Sequence, residues 1–346
     1  MSFTRAEPTH ENRGADLFYP SELATVLEVV YRVEQPRHEW LRGILLALAP
    51  QLDRGLGISA YMVDASSPGG FDAYGFQSVG GDPADTRCRF EAWNASTPTA
   101  IKRKIHLFGA CGLGRELPRA AGVTQSQVAD TLASHGYLEM FGINALDPTG
   151  RGCSIAVPHL TRANQGGIAH RDVWEQLAAH IATASRLQAR LANSADEGDA
   201  TLHGNGRLEP NHPETHEPNA REALREAAVA IDRARTRERR DDAVEVTRLW
   251  RSLAARRWTL IDRFDRNGRR YVVAYRNLAQ VAETKELTAR EHQIVCAAEL
   301  GHSNKLIAYE LGLAMSTVAT LLKRAMTKLG VDSRVELIAA RSRRAR

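Results

Sequence analysis

The chain has 346 residues, 43% of them hydrophobic and 25% charged, with a formal net charge of +5. Such a length favours two or three domains, and the composition is that of ordinary globular protein. No run of about eighteen apolar residues occurs, so no membrane partner is expected. Met1–Glu7 lacks the basic and apolar stretches of a secretion signal. The four cysteines, Cys88, Cys111, Cys153 and Cys296, form no CxxC pair. They suggest a reducing, cytoplasmic setting rather than a disulfide framework.

In chain order, residues 23–34 read as helix. Between Pro36 and Arg54, Trp40, Leu41, Ile44, Leu45, Leu48 and Leu52 recur at helical spacing, with Pro36 suited to a first turn. A strand over 57–63 precedes the turn-rich Ser66-Ser67-Pro68-Gly69-Gly70. Helices are expected over 101–108 and 124–133. Residues 137–146, the turn Asp147-Pro148-Thr149-Gly150 and residues 153–160 read as strand, turn, strand. A long amphipathic helix over 173–191 carries Val173, Trp174, Leu177, Ile181, Ala184 and Leu191 largely on one side. This order of elements resembles a GAF/PAS-type α+β sensor domain, assigned to residues 17–193. Trp93, Phe108, Tyr137 and Phe141 are candidates to line a small-molecule ligand pocket in it, although aromatics at such spacing also serve as plain core.

Composition shifts to Asp, Gly, Asn, Pro and His over 193–219, the mark of a linker, with a possible small hairpin over 201–208. Residues 220–240 and 243–253 read as helical. Alternating strands over 257–264 and 269–275 flank Asp265-Arg266-Asn267-Gly268, a favoured tight-turn signal. Residues 194–280 are therefore expected to hold the linker and a small α/β, PAS-like connector.

The last segment, 281–346, is expected to hold four short helices. Thr288 with Glu291 forms a capping box. Ser303 follows Gly301 as a second cap, Ser316 is positioned to cap a third helix that Gly330 ends, and Asp332 or Ser333 opens a fourth. Ile294, Val295 and Ala298, then Ile307, Ala308 and Leu311, then Val318, Leu322, Met326 and Leu329 give each of the first three an apolar face. The second and third join through Leu311-Gly312-Leu313 as a helix-turn-helix.

Leu287-Thr288-Ala289-Arg290-Glu291, Gly301-His302-Ser303-Asn304-Lys305, Ile307-Ala308, Thr317-Val318 and Lys328-Leu329-Gly330-Val331 with Ser333-Arg334 resemble the LuxR-type (GerE-like) helix-turn-helix over about one sixth of the chain. Three positions depart from the pattern. Leu306 stands where an acidic residue is usual, Ala314 replaces a common Ser, and Leu321 replaces a usually polar residue. The resemblance implies double-stranded DNA as partner, with Ala319, Thr320 and Lys323 facing base edges. It also implies that Ser303, Asn304, Lys305, Thr317, Arg324 and Lys328 lie near phosphates. A homodimer contact would come from Val335, Leu337 and Ile338, and RNA polymerase is a further partner of such a regulator. Residues 283–346 hold four Lys and seven Arg against six Glu and one Asp, so most of the net positive charge lies here.

The expected function is thus a transcriptional regulator with a multidomain fold, not an enzyme, with no metal and no cofactor. His106 with Cys111, and Cys153 with His159, match no zinc spacing and no nucleophile elbow. Two alternatives remain. One is a phosphorylation-controlled receiver, since Tyr61-Met62-Val63-Asp64 faintly resembles a phospho-acceptor loop. The other is an enzyme or cofactor-binding protein whose C-terminal helices dock a protein partner.

Overall fold

The computed structural model describes residues 20–67, 69–107, 109–116, 124–159, 171–192, 198–203, 207–211, 213–216, 258–264, 270–276, 287–334 and 336–337, with scattered positions over 218–229. Helices α1 (Pro20–Val30) and α2 (Arg37–Leu52) open it, with Pro36 at the N-cap of α2. The Trp40 indole Nε1 donates to the Val30 carbonyl at 2.8 Å in a buried contact, which pins the start of α2 under the end of α1. The apolar stripe of α2 is buried as its spacing required.

Strands β1 (Ile58–Asp64), β2 (Asp72–Val79), β3 (Cys111–Leu113), β4 (Glu139–Leu146) and β5 (Arg151–His159) form one sheet in the order β2-β1-β5-β4-β3. Every pairing in it is antiparallel. Receiver domains are built on a parallel, doubly wound sheet, so the phospho-acceptor alternative does not fit this fold. Helices α3 (Pro83–Ser96), α4 (Thr99–His106) and α5 (Gln125–Ser134) lie on the side of the sheet away from α1, α2 and the long α6 (Arg171–Ala192).

Side chains alternate across a strand. On β1, Ile58, Ala60 and Met62 join the core with α1, α2 and α6, whereas Tyr61 and Val63 join Phe71 and Phe76, with Phe90 and Trp93 packed alongside. Covered on both faces, β1 is buried from Ile58 to Val63. Neither β2 nor α3 was expected, because the apolar residues of each follow no sustained period. Only Phe76 is buried in β2, and no residue is fully buried in α3. A start signal was nevertheless present: Asp82 caps α3 and Pro83 follows at its first position.

Strands β6 (Ala200–His203), β7 (Leu208–Pro210), β8 (Trp258–Phe264) and β9 (Arg270–Arg276) make a second antiparallel sheet in the order β7-β6-β9-β8. The two expected hairpins therefore become neighbours. The Asn267-Gly268 turn lies outside the described residues, as does most of the expected 220–253 helical region. Ala200, Leu202, Leu224, Val273, Ala274 and Tyr275 belong to the same buried cluster as α6.

The C-terminal module contains α7 (Ala289–Glu299), α8 (Asn304–Leu311) and α9 (Met315–Leu329), followed by helical backbone at Arg334, Glu336 and Leu337. The Thr288–Glu291 capping box forms in both directions, and Ser303 accepts from the Leu306 N–H. Gly312 (φ 63°) and Gly330 (φ 66°) end α8 and α9 in the left-handed conformation. Ser316 does not cap α9. That helix begins at Met315, one residue before Ser316, and its N-cap is Ala314, which offers no side-chain acceptor.

Ala314 already has the extended backbone of a cap, with φ −70° and ψ 145°. Ala314→Ser should therefore stabilise the module by about 0.5–2 kcal/mol. Slower hydrogen exchange at the Thr317 amide and a higher denaturation midpoint are the expected readouts; unchanged exchange there would reject the cap assignment.

Candidate nucleic-acid interface and ligand cavity

Val318, Leu322 and Ala325 turn one face of α9 into the module core, beside Ile294, Ala298, Ile307 and Leu337. The opposite face presents Ala319, Thr320, Lys323, Arg324 and Thr327 to solvent. The base-reading positions implied by the sequence thus share one exposed helical surface. The Thr320 hydroxyl donates back to the Ser316 carbonyl at 2.9 Å. What Thr320 presents outward is a methyl and an acceptor oxygen. Leu321 packs at the edge of the module core, so its apolar side chain is partly covered.

The phosphate-facing set is divided. Thr317 and Arg324 are exposed on α9. Lys328 Nζ lies 2.6 Å from Glu291 Oε2, and that hydrogen bond, with those to Thr288, holds the Glu291 carboxyl below its ordinary pKa. Asn304 accepts from Arg334 at 2.9 Å, and Arg334 also donates to the His302 carbonyl. Ser303 and Lys305 reach out of the module. Ser303 Oγ donates to Glu175 Oε2 at 3.4 Å, and Lys305 Nζ stands 3.1 Å from Asp172 Oδ2. Of the expected dimer residues, Leu337 is buried in the module's own core. The side chains of Val335 and Ile338 lie outside the described residues.

Glu175 and Asp172 belong to α6, so α8 is docked on the N-terminal part of the chain. The contact also has a buried interior. His180 on α6 is hydrogen-bonded through Nδ1 to the Tyr31 hydroxyl at 2.9 Å and through Nε2 to the Tyr309 hydroxyl at 2.7 Å. Leu306 and Tyr309 are 2% and 6% exposed and belong to the α6 core cluster. Full burial of such side chains is worth about 1.5–3 kcal/mol each. The solvent-exposed Lys305–Asp172 pair contributes about 0–1 kcal/mol. Leu306 and Tyr309 therefore hold the dock, and the ion pair only decorates its rim. Partial burial raises the Asp172 pKa, but the hydrogen bond and charge of Lys305 outweigh it and the carboxyl titrates below its usual range. Burial pushes the Glu175 carboxyl up and the His180 imidazole down to about 3.

Between the sheet and helices α3, α4 and α5 lies a cavity of about 340 Å³. Tyr61, Phe90, Trp93, Ile105, Tyr137 and Met140 line its apolar wall, and Gly301, His302 and Leu306 of the C-terminal module close part of it. Of the residues suggested by the sequence, Trp93 and Tyr137 line this cavity. Phe141 does not: alternation on β4 turns Met140, Gly142 and Asn144 to the cavity and Phe141 to the opposite layer, against Trp174. Phe108 lies outside the described residues.

Several of the cavity's polar groups are paired within the protein. His106 Nδ1 donates to the Lys102 carbonyl at 2.7 Å, which leaves Nε2 to accept from the Tyr61 hydroxyl at 2.8 Å. Burial drops the His106 pKa to about 4. Ser154 donates to Asn144 at 2.9 Å, and Arg171 holds both Glu116 oxygens at 2.7 Å. With both nitrogens engaged, His106 is a structural residue here. Burial pushes the Cys111 and Cys153 thiols up to about 12, unlike an activated nucleophile. No group of three or more metal-ligating side chains is found among the described residues.

Residues 285–340 match the family described as bacterial regulatory proteins, luxR family, and form a LuxR-type helix-turn-helix domain. The HTH-type transcriptional activator RamA of Corynebacterium glutamicum is 36% identical over 64 residues, 18% of this chain and 23% of that protein. The monoamine regulon transcriptional regulator of Klebsiella aerogenes is 46% identical over 52 residues, 15% of this chain and 23% of that protein. The chain thus spans under a quarter of the length of the curated relatives it matches. The crystal structure of Escherichia coli SdiA aligns over 92% of this chain and 94% of its own at 10% identity, with a TM-score of 0.35, too slight a likeness to establish a common fold. No single helix among the described residues is long and apolar enough to cross a membrane.

His106 is neutral in the fold and takes up protons less readily there than in the unfolded chain. Between about pH 6.5 and pH 4 the unfolded state binds the extra proton, so stability falls as pH drops through that window. His106→Gln should flatten the pH dependence of the unfolding free energy there by about 1.4 kcal/mol per pH unit. Urea titrations at several pH values test this; parallel profiles for the variant and the parent would refute it.

Proposed function

We propose that the chain is a sequence-specific, DNA-binding transcriptional regulator whose N-terminal region senses a small molecule and controls the C-terminal helix-turn-helix. The observation that carries this reading is the exposed face of α9. It places Ala319, Thr320 and Lys323 together on the helix that enters the major groove in this motif. The reading requires no bond chemistry, and it implies a cytoplasmic protein that meets a chromosome and RNA polymerase. The antiparallel sheet with helices on both faces supports a GAF/PAS-like sensor over residues 17–193, with 194–280 as connector and 281–346 as the DNA-binding part. Because the cavity's charged groups already pair within the protein and its wall is largely apolar, its ligand is an uncharged, largely apolar molecule.

One module of this size buries too little surface for tight specificity, so the DNA-bound form is a homodimer on two half-sites about one helical turn apart. Lys323→Ala should weaken binding to the preferred site, identified by mapping bound genomic fragments, by about 1–3 kcal/mol. Its effect on mixed-sequence duplex should be smaller. An unchanged dissociation constant at the preferred site would remove Lys323 from the base-reading set, and a single unrepeated half-site in footprints would remove the dimer.

A further inference from the structure

The α6–α8 dock uses a corner of the C-terminal module that the DNA-binding reading assigns to phosphates. Ser303 and Lys305 would each meet a phosphate oxygen; here each meets a carboxylate oxygen instead, from Glu175 and Asp172. The two carboxylates are three residues apart on α6 and share one helical face. That face is turned to the start of α8. The base-reading surface of α9 stays exposed in the same arrangement, so the conflict with DNA is confined to the phosphate track. A duplex laid on α9 would bring its backbone against Asp172 and Glu175 while Ser303 and Lys305 remained occupied. Like charges at such separation repel, and the expected phosphate contacts are lost.

We propose that α6 is an intramolecular phosphate mimic: Asp172 and Glu175 occupy the phosphate-facing corner of α8, and the module must leave α6 before it can bind DNA fully. The Leu306, Tyr309 and His180 contacts described above supply the hold, and the carboxylates supply the competition. The inference rests on the DNA-binding reading of the module.

The test uses the full chain and a mixed-sequence 30-base-pair duplex. Asp172→Asn/Glu175→Gln should bind the duplex about 5–20-fold tighter than the parent. The slope of log affinity against log salt should steepen by about 0.9 as Lys305 gains a phosphate. Tyr309→Phe, which removes one bond of the buried relay and no phosphate-facing group, should also tighten binding. In a second arm, a carbodiimide should join Asp172 to Lys305 as an amide in the DNA-free protein, and saturating duplex should suppress that cross-linked peptide. Unchanged affinity in the carboxylate variant, a cross-link that persists undiminished on DNA, or its absence without DNA would each overturn the clamp. Failure of parent and variants alike to bind duplex at low salt, with the cross-link still formed, would instead overturn the DNA-binding reading on which the clamp depends.

Discussion

Helix α6 has to be buried on more than one side, and the other parts of the chain are arranged around that requirement. From Leu177 to Ser185 every residue is buried, over more than two turns, so no single packing partner can cover it. The sheet takes one side through β4 and β5, α1 takes another, and α8 takes part of what remains. Near its end, Arg190 pairs with Asp199 at 3.5 Å and lies over the Tyr275 ring, which brings in the second sheet. The small residues Ala178, Ala179, Ala182, Ala184 and Ser185 let these neighbours approach closely.

Polar groups on such a helix must be satisfied inside the protein. Thr183 bonds to the Ala179 carbonyl of its own helix, and Gln188 reaches the Gln35 carbonyl. His180 is different because its two partners come from opposite ends of the chain, Tyr31 and Tyr309. A neutral imidazole between two hydroxyls donates to one and accepts from the other. The position of the C-terminal module is therefore written into the hydrogen bonding of the N-terminal core, and not only into surface charge.

Much of this was legible in the sequence where periodicity and caps were strong. The α2 stripe, the β4–β5 hairpin, α6 and the capped helices of the last segment are where spacing placed them. In β2 and α3 the apolar residues follow no sustained period that could be detected. A cavity residue cannot be told from a core residue by type alone, and Phe141 shows why: a shift of one position on β4 selects the other face. The departures from the helix-turn-helix pattern were more informative than the matches. Ala314 is the cap position itself. Leu306, at a position that is usually acidic, is buried against α6, where a buried carboxylate would be costly. What that leucine marks is a dock. Asp172 and Glu175 carry no signal in the sequence, and only the fold brings them to Ser303 and Lys305.

Part of the cavity wall is made by Gly301, His302 and Leu306, residues of a module that is held by a few contacts rather than by the sheet. On the proposed release from α6 that wall is detachable, and a container of this kind has no fixed capacity. A guest that fits inside the docked volume binds that arrangement better and tightens it; one too bulky to fit binds only after the wall has gone. Guest size, rather than guest chemistry alone, then sets the sign of the response, and two molecules of one chemical class can drive the same protein in opposite directions.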